Sequence, residues 1–466
     1  MHGSDSLFKI NMLQSLGTGL FGGFGMAFGE VRVAERADWL VERVAATGSV
    51  VLHKLGEDRA GEIAIGRFLR SPYVSVDAIV EAKAVRTAEQ CAGRHVVAMQ
   101  DTTEFNFSRR SGKRVGFGPG GDGKTPGYFI HPVIVADIES EAVIGLADVA
   151  IWTRTEQDGV VRGNRQFEEK ESERWLMGCK AAARVLGNAA SVTMLADRES
   201  DIYPMFADRP DGLDLIIRAA QNRVLAGGER LFDALNQAAV LDRYEVRVAP
   251  RGPGDKGRVA KVELRAGIVR ITCPKAYRKN GLLETIELNL VEAREVDPPK
   301  GKEAIHWRLL TTHEVGNGEQ ANRIVQLYRL RWRIEQTFRS LKSDGLALED
   351  SQVTDPERMF NLAAIALAGA IVTMQLLDAR DGSPRPSSDV IDDTLLPALE
   401  RLSRKLEGST QRQKNPHQSG TLPFIAWISA RLGGWNCYYK PPGPKTMRAG
   451  WNQLAAILQG YALANP

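Results

Sequence analysis

Residues 95–105 read HVVAMQDTTEF, an apolar run that predicts a β-strand and ends in a cluster of polar residues. Working outward, the sequence predicts two strands, a helix and two further strands: Tyr128–Asp137, Val143–Thr153, Glu168–Leu186, Ser191–Ala196 and Asp214–Ala219. Strands and helices in this order are typical of an α/β core, in which helices flank a mixed sheet. The predicted fold class is therefore α/β.

The pattern of apolar and polar residues changes between residues 224 and 304. Short stretches there alternate apolar and polar residues, as in RVAKVELRAGIVRIT at residues 258–272, and a period of two predicts an antiparallel β unit. A strand at Ile305–Thr312 and long helices at about Glu319–Lys342 and Pro356–Leu377 follow. We therefore expect a core at residues 76–378, interrupted by a β insertion at residues 224–304.

Helical segments are predicted on both sides of this core. Val31–Ala46 and Val76–Gln90 carry apolar residues at helical spacing, which predicts a helical N-terminal domain at residues 1–75. The Pro- and Ser-rich stretch 379–389 predicts a linker. Residues 379–466 are then expected to form a mainly helical C-terminal domain.

The composition fits a folded globular protein. Of the 466 residues, 43% are hydrophobic and 25% are charged, which excludes a wholly disordered or fibrous chain. The net charge is only +4, so an interaction with nucleic acid must rest on where the basic residues lie. The four cysteines form no CxxC pair, which argues against a cysteine-built zinc site and for a reducing, cytoplasmic setting. The apolar stretch Leu362–Leu377 includes Thr373 and Gln375, and we interpret it as a buried helix rather than a membrane span.

Two glycine-rich stretches match nucleotide-binding motifs by letter. Residues 118–125, GPGGDGKT, match the phosphate loop, but that loop must open a helix whose amide groups hold the phosphates. A predicted strand follows instead, so we interpret the stretch as a hairpin loop. Gly17, Gly19 and Gly22 form a GxGxxG with no strand before it. We therefore expect no nucleotide cofactor.

Two aspartates follow predicted strands directly. Asp101 lies in MQDTTEF and Asp197 in MLADRESD. If the two strands were neighbours, these carboxylates would be a few ångströms apart, and a divalent cation with oxygen ligands would neutralise their charges. The alternative is that each aspartate only caps a turn or a helix.

The helix predicted at residues 319–342 contains the segment YRLRWRIEQTFRSLK, residues 328–342. At 100° per residue, Tyr328, Arg331, Glu335 and Lys342 fall within about a 60° arc, with Arg339 close to it. A solvated basic helix with one incidental glutamate is the alternative. Three carboxylates that hold two metal ions, with arginine and lysine beside them, suit phosphoryl transfer. The aromatic residues that could stack on bases are Trp307, Tyr328 and Trp332.

Taken together, these motifs resemble the DDE-type transposases of bacterial insertion sequences, in the group with a Y-x2-R-x3-E-x6-K signature. Tyr328, Arg331, Glu335 and Lys342 keep that spacing, while DTT at 101–103 and DRESDI at 197–202 look like the first two acidic motifs. The resemblance implies a ribonuclease-H-like catalytic core and two divalent metal ions, Mg²⁺ or Mn²⁺. It also implies nicking at the element's ends, a hairpin intermediate and strand transfer into target DNA.

The same resemblance assigns expected roles to single residues. Asp101, Asp197 and Glu335 would be the catalytic metal ligands. Trp307 would stack on a flipped base, and Arg218 would contact the same distorted strand. The remaining expected DNA contacts are Tyr328, Arg331, Arg339, Lys342 and Lys440. The N-terminal 28 residues and Gly66, which stands where the family has an aromatic residue, depart from the pattern.

The expected partners are double-stranded DNA, as element ends and as target, and a second copy of the chain in the DNA complex. Residues 1–75 would bind DNA. Residues 379–466 would supply dimer and DNA contacts through the amphipathic run Val390–Leu406 and an aromatic, basic patch: Trp435, Tyr438, Tyr439, Lys440, Lys445 and Arg448. A bacterial, nucleoid-associated location without a membrane follows. A metal-dependent nuclease that cuts without joining, and a non-catalytic DNA-binding inhibitor, are the alternatives.

Overall fold

The computed structural model describes residues 24, 28–107, 115–154, 173–248, 256–342, 345–380, 382, 385–438 and 440–464. The chain divides into two compact units. Unit 1 comprises Met1–Arg94, Thr102–Gly163 and Arg333–Pro466, and unit 2 comprises His95–Asp101 and Asn164–Trp332. This division differs from the domain boundaries predicted after residues 75 and 378, and those boundaries stay predictions.

Unit 1 combines helices with a small antiparallel sheet. Strand β3 pairs with β2 on one side and β4 on the other. Numbered along the whole chain, its elements are α1 Val31–Thr47, α2 Leu52–Gly56, α3 Arg59–Phe68, α4 Val76–Cys91, β2 Thr103–Asn106, β3 Gly127–Asp137, β4 Val143–Trp152, α8 Trp332–Leu341, α9 Pro356–Ala379, α10 Leu396–Leu406, α11 Leu422–Leu432 and α12 Pro444–Ala464.

Helix α9 forms the centre of unit 1. It begins with the N-cap Asp355 and with Pro356 in its first turn, a favoured start because proline lacks the amide hydrogen that would be unpaired there. The helix is long and apolar enough to cross a membrane, but 83% of its apolar window is buried inside the protein. It packs against α1, α4 and β4, as the sequence predicted for a buried helix.

The C-terminal segment is part of the same core. Residues from α1, α9, α10, α11 and α12 form one buried apolar cluster that includes Ala45, Leu399, Ile425 and Trp451. The run Val390–Leu406 therefore buries its apolar face within its own chain. In the predicted linker, Arg385 and Asp389 form a buried ion pair, 2.7 Å between Nε and Oδ2. The stretch predicted as a linker is thus packed within unit 1, and the amphipathic helices after it find their apolar partners there; a separate C-terminal domain stays a prediction.

Unit 2 is built on one sheet with the order β1-β5-β6-β10-β9-β8-β7. The first three strands are parallel, and each later pair is antiparallel. Its elements are β1 His95–Gln100, α5 Glu173–Val185, β5 Ser191–Ala196, α6 Tyr203–Ala207, β6 Leu213–Arg218, β7 Asp242–Val248, β8 Arg258–Thr272, β9 Thr285–Val296, β10 His306–Thr311 and α7 Gly318–Arg329. Residues 168–172, the predicted start of α5, lie outside the described residues.

The β insertion is antiparallel, as predicted, but it does not form a sheet of its own. Strand β9 pairs along its length with β10, and β10 pairs with β6. The insertion therefore extends the sheet of unit 2. A mixed α/β fold with a large sheet is consistent with a ribonuclease-H-like domain.

The long helix predicted at residues 319–342 is two helices. Helix α7 ends at Arg329 and α8 begins at Trp332. At the break, the amide of Leu330 donates to Leu327 O and that of Arg331 to Tyr328 O, which tightens the last turn to i→i+3 bonds. The 60° arc was calculated for one continuous helix. Because the helix is broken, that angle does not hold between Tyr328 or Arg331 and the residues of α8 and beyond, Glu335 and Lys342.

Candidate active site

The two predicted aspartates follow neighbouring strands. Strand β1 pairs in parallel with β5, from His95 opposite Ser191 to Met99 opposite Leu195. Continued by two residues, this register places Asp101 opposite Asp197, just beyond both strand ends. Adjacent strands are about 4.8 Å apart, so the two backbones are close there. The predicted run 95–105 is thus broken at Asp101 and Thr102, and β2 resumes at Thr103.

Each aspartate already has a partner. Arg331 Nη1 lies 2.8 Å from Asp101 Oδ2, and the two side chains are only 15% and 13% exposed. Asp197 is half-buried and accepts a 2.9 Å hydrogen bond from the Glu199 amide, at the start of the 3₁₀ turn Arg198–Ser200. This is the capping role that the sequence also allowed. Arg331 therefore forms an ion pair with Asp101.

The donor set fits a hard divalent cation, because two carboxylates at adjacent strand ends supply the oxygen ligands that Mg²⁺ and Mn²⁺ prefer. Among the described residues, no group of three or more His, Cys, Asp or Glu side chains could hold a metal ion. Two carboxylates are nevertheless enough for Mg²⁺ when water and substrate phosphate supply the other oxygen ligands.

Three arginines lie close to Asp197. Burial lowers the pKa of Arg218, and the positive charges of Arg198 and Arg331 lower it further, while Asp197 opposes them. Arg218 ends β6 and donates to His306 O across 3.4 Å. A cluster of guanidinium groups, of which Arg218 and Arg331 are half-buried and Arg198 is exposed, is suited to phosphate oxygens. Arg198 was missed by sequence reasoning, although it directly follows Asp197.

Trp307 and Tyr328 contact each other edge to face, with ring centroids 5.4 Å apart. Trp307 is half-buried, whereas Tyr328 is only 4% exposed. Burial raises the pKa of Tyr328 to about 12, against the pull of Arg331 and Arg218. Its hydroxyl is buried beside the Arg331 guanidinium. Stacking of a base on the buried Tyr328 ring would require its neighbours to move and stays a prediction. Trp332, in contrast, is 51% exposed.

Three other predicted residues lie together in unit 1. Glu335 and Arg339 are on α8, and Lys342 follows its last residue. Their spacing of four and three residues keeps them on one face of this short helix. Lys342 Nζ lies 5.5 Å from the centroid of the Phe105 ring. Glu335 and Lys342 are half-buried and Arg339 is exposed.

Lys440 is exposed in the segment before α12. Of the predicted patch around it, Trp435 Nε1 donates to Lys440 O at 3.1 Å, and Tyr438 is 44% exposed. Tyr439 lies outside the described residues. Lys440 and Lys445 both present charge to solvent.

The GPGGDGKT stretch precedes a strand, as predicted, since β3 begins at Gly127. Its amide groups already have acceptors. The Lys124 and Thr125 amides donate to Asp122, and the Thr125 hydroxyl bonds the same side chain, which lowers the pKa of Asp122 to about 2. The Gly121 amide donates to Glu104. The loop therefore lacks the open cradle of amides that phosphate binding requires. Gly17, Gly19 and Gly22 lie outside the described residues.

A buried aspartate that sequence reasoning missed stands beside the site. Asp201 is 1% exposed, accepts hydrogen bonds from the amides of Ala220 and Gln221 at 2.7 and 2.9 Å, and forms an ion pair with Arg223. These bonds hold the chain just after Arg218. The only sequence signal is the second aspartate of DRESD, four residues after Asp197.

Comparison with known families supports the same assignment. Residues 212–372 match a family model described as a transposase DDE domain. The match spans β6 to most of α9 and includes Arg218, Trp307, Arg331, Glu335 and Lys342, but it starts beyond Asp101 and Asp197. It supports the interpretation of this chain as a DDE-type transposase.

Proposed function

We propose that the chain is a transposase that excises a mobile DNA element at its inverted-repeat ends and joins it to target DNA. The observation that carries the proposal is the register of β1 and β5, which aligns Asp101 with Asp197 at adjacent strand ends. The family match at residues 212–372 supports the reaction class.

In the proposal, Asp101 and Asp197 hold divalent metal, Mg²⁺ or Mn²⁺, with Glu335 as the third carboxylate. Two bound ions would activate the attacking oxygen and stabilise the leaving oxygen of the phosphodiester. Arg331, which lies 2.8 Å from Asp101, would then be available to the DNA backbone. The same pairing holds the Asp101 side chain in a fixed position at the strand end.

Arg198, Arg218 and Arg331 would hold the scissile strand. Their positive charges already act on one another, since Arg198 and Arg331 lower the pKa of Arg218, and phosphate oxygens would relieve that repulsion. Arg339, Lys342 and Lys440 are further proposed DNA contacts. Tyr328, whose hydroxyl is buried, would act mainly by supporting Trp307 and Arg331, and any DNA contact of its own requires neighbouring side chains to move.

Trp307 is the proposed platform for a base flipped out during hairpin formation. Its ring is half-buried and held edge-on by Tyr328 at 5.4 Å, so it is oriented but not covered. Stacking of one base on an aromatic ring contributes about 1–3 kcal/mol.

A transposase must bring two element ends together, and we propose that two copies do so. Homo-oligomers usually have two-fold symmetry. The apolar face of residues 390–406 is used within the chain, so the proposed contacts of the C-terminal segment are limited to its exposed residues, such as Tyr438, Lys440 and Lys445. Light scattering on the protein bound to labelled end DNA would give the number of copies. The proposed location is the bacterial nucleoid.

One assay tests the proposal. Purified protein, Mg²⁺, a labelled element end and a target plasmid are incubated, and the products are resolved by size. Joined products are expected. Cuts without joining would instead indicate a metal-dependent nuclease, and binding without cutting would indicate a DNA-binding inhibitor; either result contradicts the proposal.

A further inference from the structure

Two arginines from distant parts of the sequence meet in unit 1. Arg70 lies just beyond the end of α3, and Arg358 lies in the first turn of α9. A Cβ atom placed on Gly66 would be 3.7 Å from Arg70 Nη2 and 3.9 Å from Arg358 Nη2. Both guanidinium groups therefore border the same space beside the bare backbone of Gly66, where one tetrahedral anion could contact both.

The arginines are held together by the fold rather than by opposite charge. Asn361, buried one turn after Arg358, donates to the carbonyl oxygens of Leu69 and Val74 at 3.3 and 3.1 Å. These bonds fasten residues 69–74, with Arg70 among them, to α9. Arg70 Nε in turn donates to Gly66 O at 3.1 Å, which orients its remaining nitrogen atoms.

The pair lacks a compensating anion. In the described part of the chain, neither arginine forms an ion pair, and the Arg358 Nε atom is buried without a hydrogen-bond partner. Burial lowers the pKa of Arg358, and the charge of Arg70 lowers it further. The Asp355 carboxylate raises the pKa of Arg358, but this carboxylate already serves as the N-cap of α9 and accepts a 3.0 Å hydrogen bond from the Arg358 amide. Two positive charges that the fold holds close together repel each other. An anion that accepts hydrogen bonds from both guanidinium groups would offset this repulsion.

We propose that Arg70 and Arg358 form a clamp for one phosphate group, and that this group is a phosphodiester of double-stranded DNA. The choice of DNA as the source rests on the proposed function and on the open surface around the clamp. Arg67 and Arg70 are exposed, and Tyr73 is 53% exposed. Exposed arginine and tyrosine side chains suit a DNA backbone that runs along a surface, whereas a free nucleotide is usually enclosed in a pocket.

The test uses the full chain with Arg70→Gln, Arg358→Gln and the double variant. Binding to a 30-base-pair duplex of random sequence is measured over a range of salt concentrations. Each lost phosphate contact reduces the steepness of the negative slope of log K against log salt by about 0.9. We expect that reduction in each single variant, because the clamp holds the phosphate only when both arginines are present, and no greater reduction in the double variant. The matched control is Arg59→Gln, an exposed arginine of α3 that is paired with Glu62, which should leave the slope unchanged.

Melting temperatures, measured without and with inorganic phosphate, distinguish the clamp from a structural role and from the transposase proposal. Arg70→Gln and Arg358→Gln each remove one of two repelling charges, so neither should lower the melting temperature of the DNA-free protein. Inorganic phosphate should raise the melting temperature of the wild type and not that of the double variant. A phosphate response without a change in the DNA slope would identify free phosphate as the source and keep the clamp, whatever the chain does to DNA. An unchanged slope together with no phosphate response, or an equal loss of slope in Arg59→Gln, would overturn the proposal.

Discussion

The buried pair of Asp201 and Arg223 allows a sharp prediction about the loop that carries the proposed DNA-contacting strand end. The Asp201 side chain is fully buried, the Arg223 side chain is 12% exposed, and the same carboxylate accepts two backbone amides. Removing one member of a buried ion pair costs about 3–5 kcal/mol, and unpaired amides act in the same direction. We therefore expect Asp201→Ala to destabilise unit 2 by about 3–5 kcal/mol. Asp201→Asn keeps one acceptor oxygen, and we expect it to destabilise unit 2 by only about 1.5–3 kcal/mol.

Native-state hydrogen exchange is the suitable assay, because a chain of two units need not unfold in one step. Peptides that cover Ala220 and Gln221 report this loop directly. The matched control is Asp208→Ala, which removes an exposed ion pair with Lys180 in the same unit and should cost less than about 1 kcal/mol. Adding Arg223→Met to Asp201→Ala should restore part of the loss, because the uncompensated charge is removed. Equal protection in Asp201→Ala and Asp208→Ala would refute the reasoning.

Three further predictions follow from the described contacts. Burial lowers the pKa of His313, whose Nε2 lies 3.0 Å from Thr193 Oγ1. Wild-type stability should therefore fall as the pH drops below about 6.5, because the unfolded histidine gains its proton first. His313→Gln should make the urea midpoint depend less on pH between 6.5 and 5, and an unchanged pH dependence in this variant would exclude the role. Tyr328→Phe removes a buried hydroxyl beside Arg331. Because this hydroxyl makes at most a weak hydrogen bond to that side chain, the variant should change the free energy of unfolding of the DNA-free protein by less than about 1 kcal/mol, as measured by thermal unfolding; a larger loss would show that the hydroxyl is strongly bonded in the free protein. Trp307→Ala should slow hairpin formation more than first-strand nicking in a time course on labelled ends, since only the former needs a flipped base, and equal losses in the two steps would mark Trp307 as a core residue.

Much of unit 2 could be predicted because its signals are local. Strand β5 was predicted with both ends correct, and the apolar run of β1 ends where a charged residue follows, so the two aspartates could be placed at strand ends from sequence. The alternation in 258–272 likewise predicted β8. Pairing partners are not local: the continuation of the insertion into β10 and β6 depends on residues far along the chain.

The features that could not be predicted depend on distant contacts. No proline or glycine marks the break between α7 and α8, because the tightened turn uses ordinary residues. An amphipathic helix does not specify its partner, so α10 looked available for a second copy although it packs in unit 1. Asp201 with Arg223, and Arg70 with Arg358, are pairs that only the folded chain brings together.

The measurement that tests the central claim most directly is the rate of Mg²⁺-dependent cleavage of a labelled element end by Asp101→Asn and Asp197→Asn, with end binding measured in parallel. The matched control is Asp122→Asn, an exposed aspartate of the hairpin loop. If the aligned carboxylates hold the metal ions, both variants lose cleavage by far more than tenfold while end binding stays nearly unchanged, and the control cleaves normally. Glu335→Gln should behave as they do. Cleavage within tenfold of the wild-type rate in either aspartate variant would contradict the account.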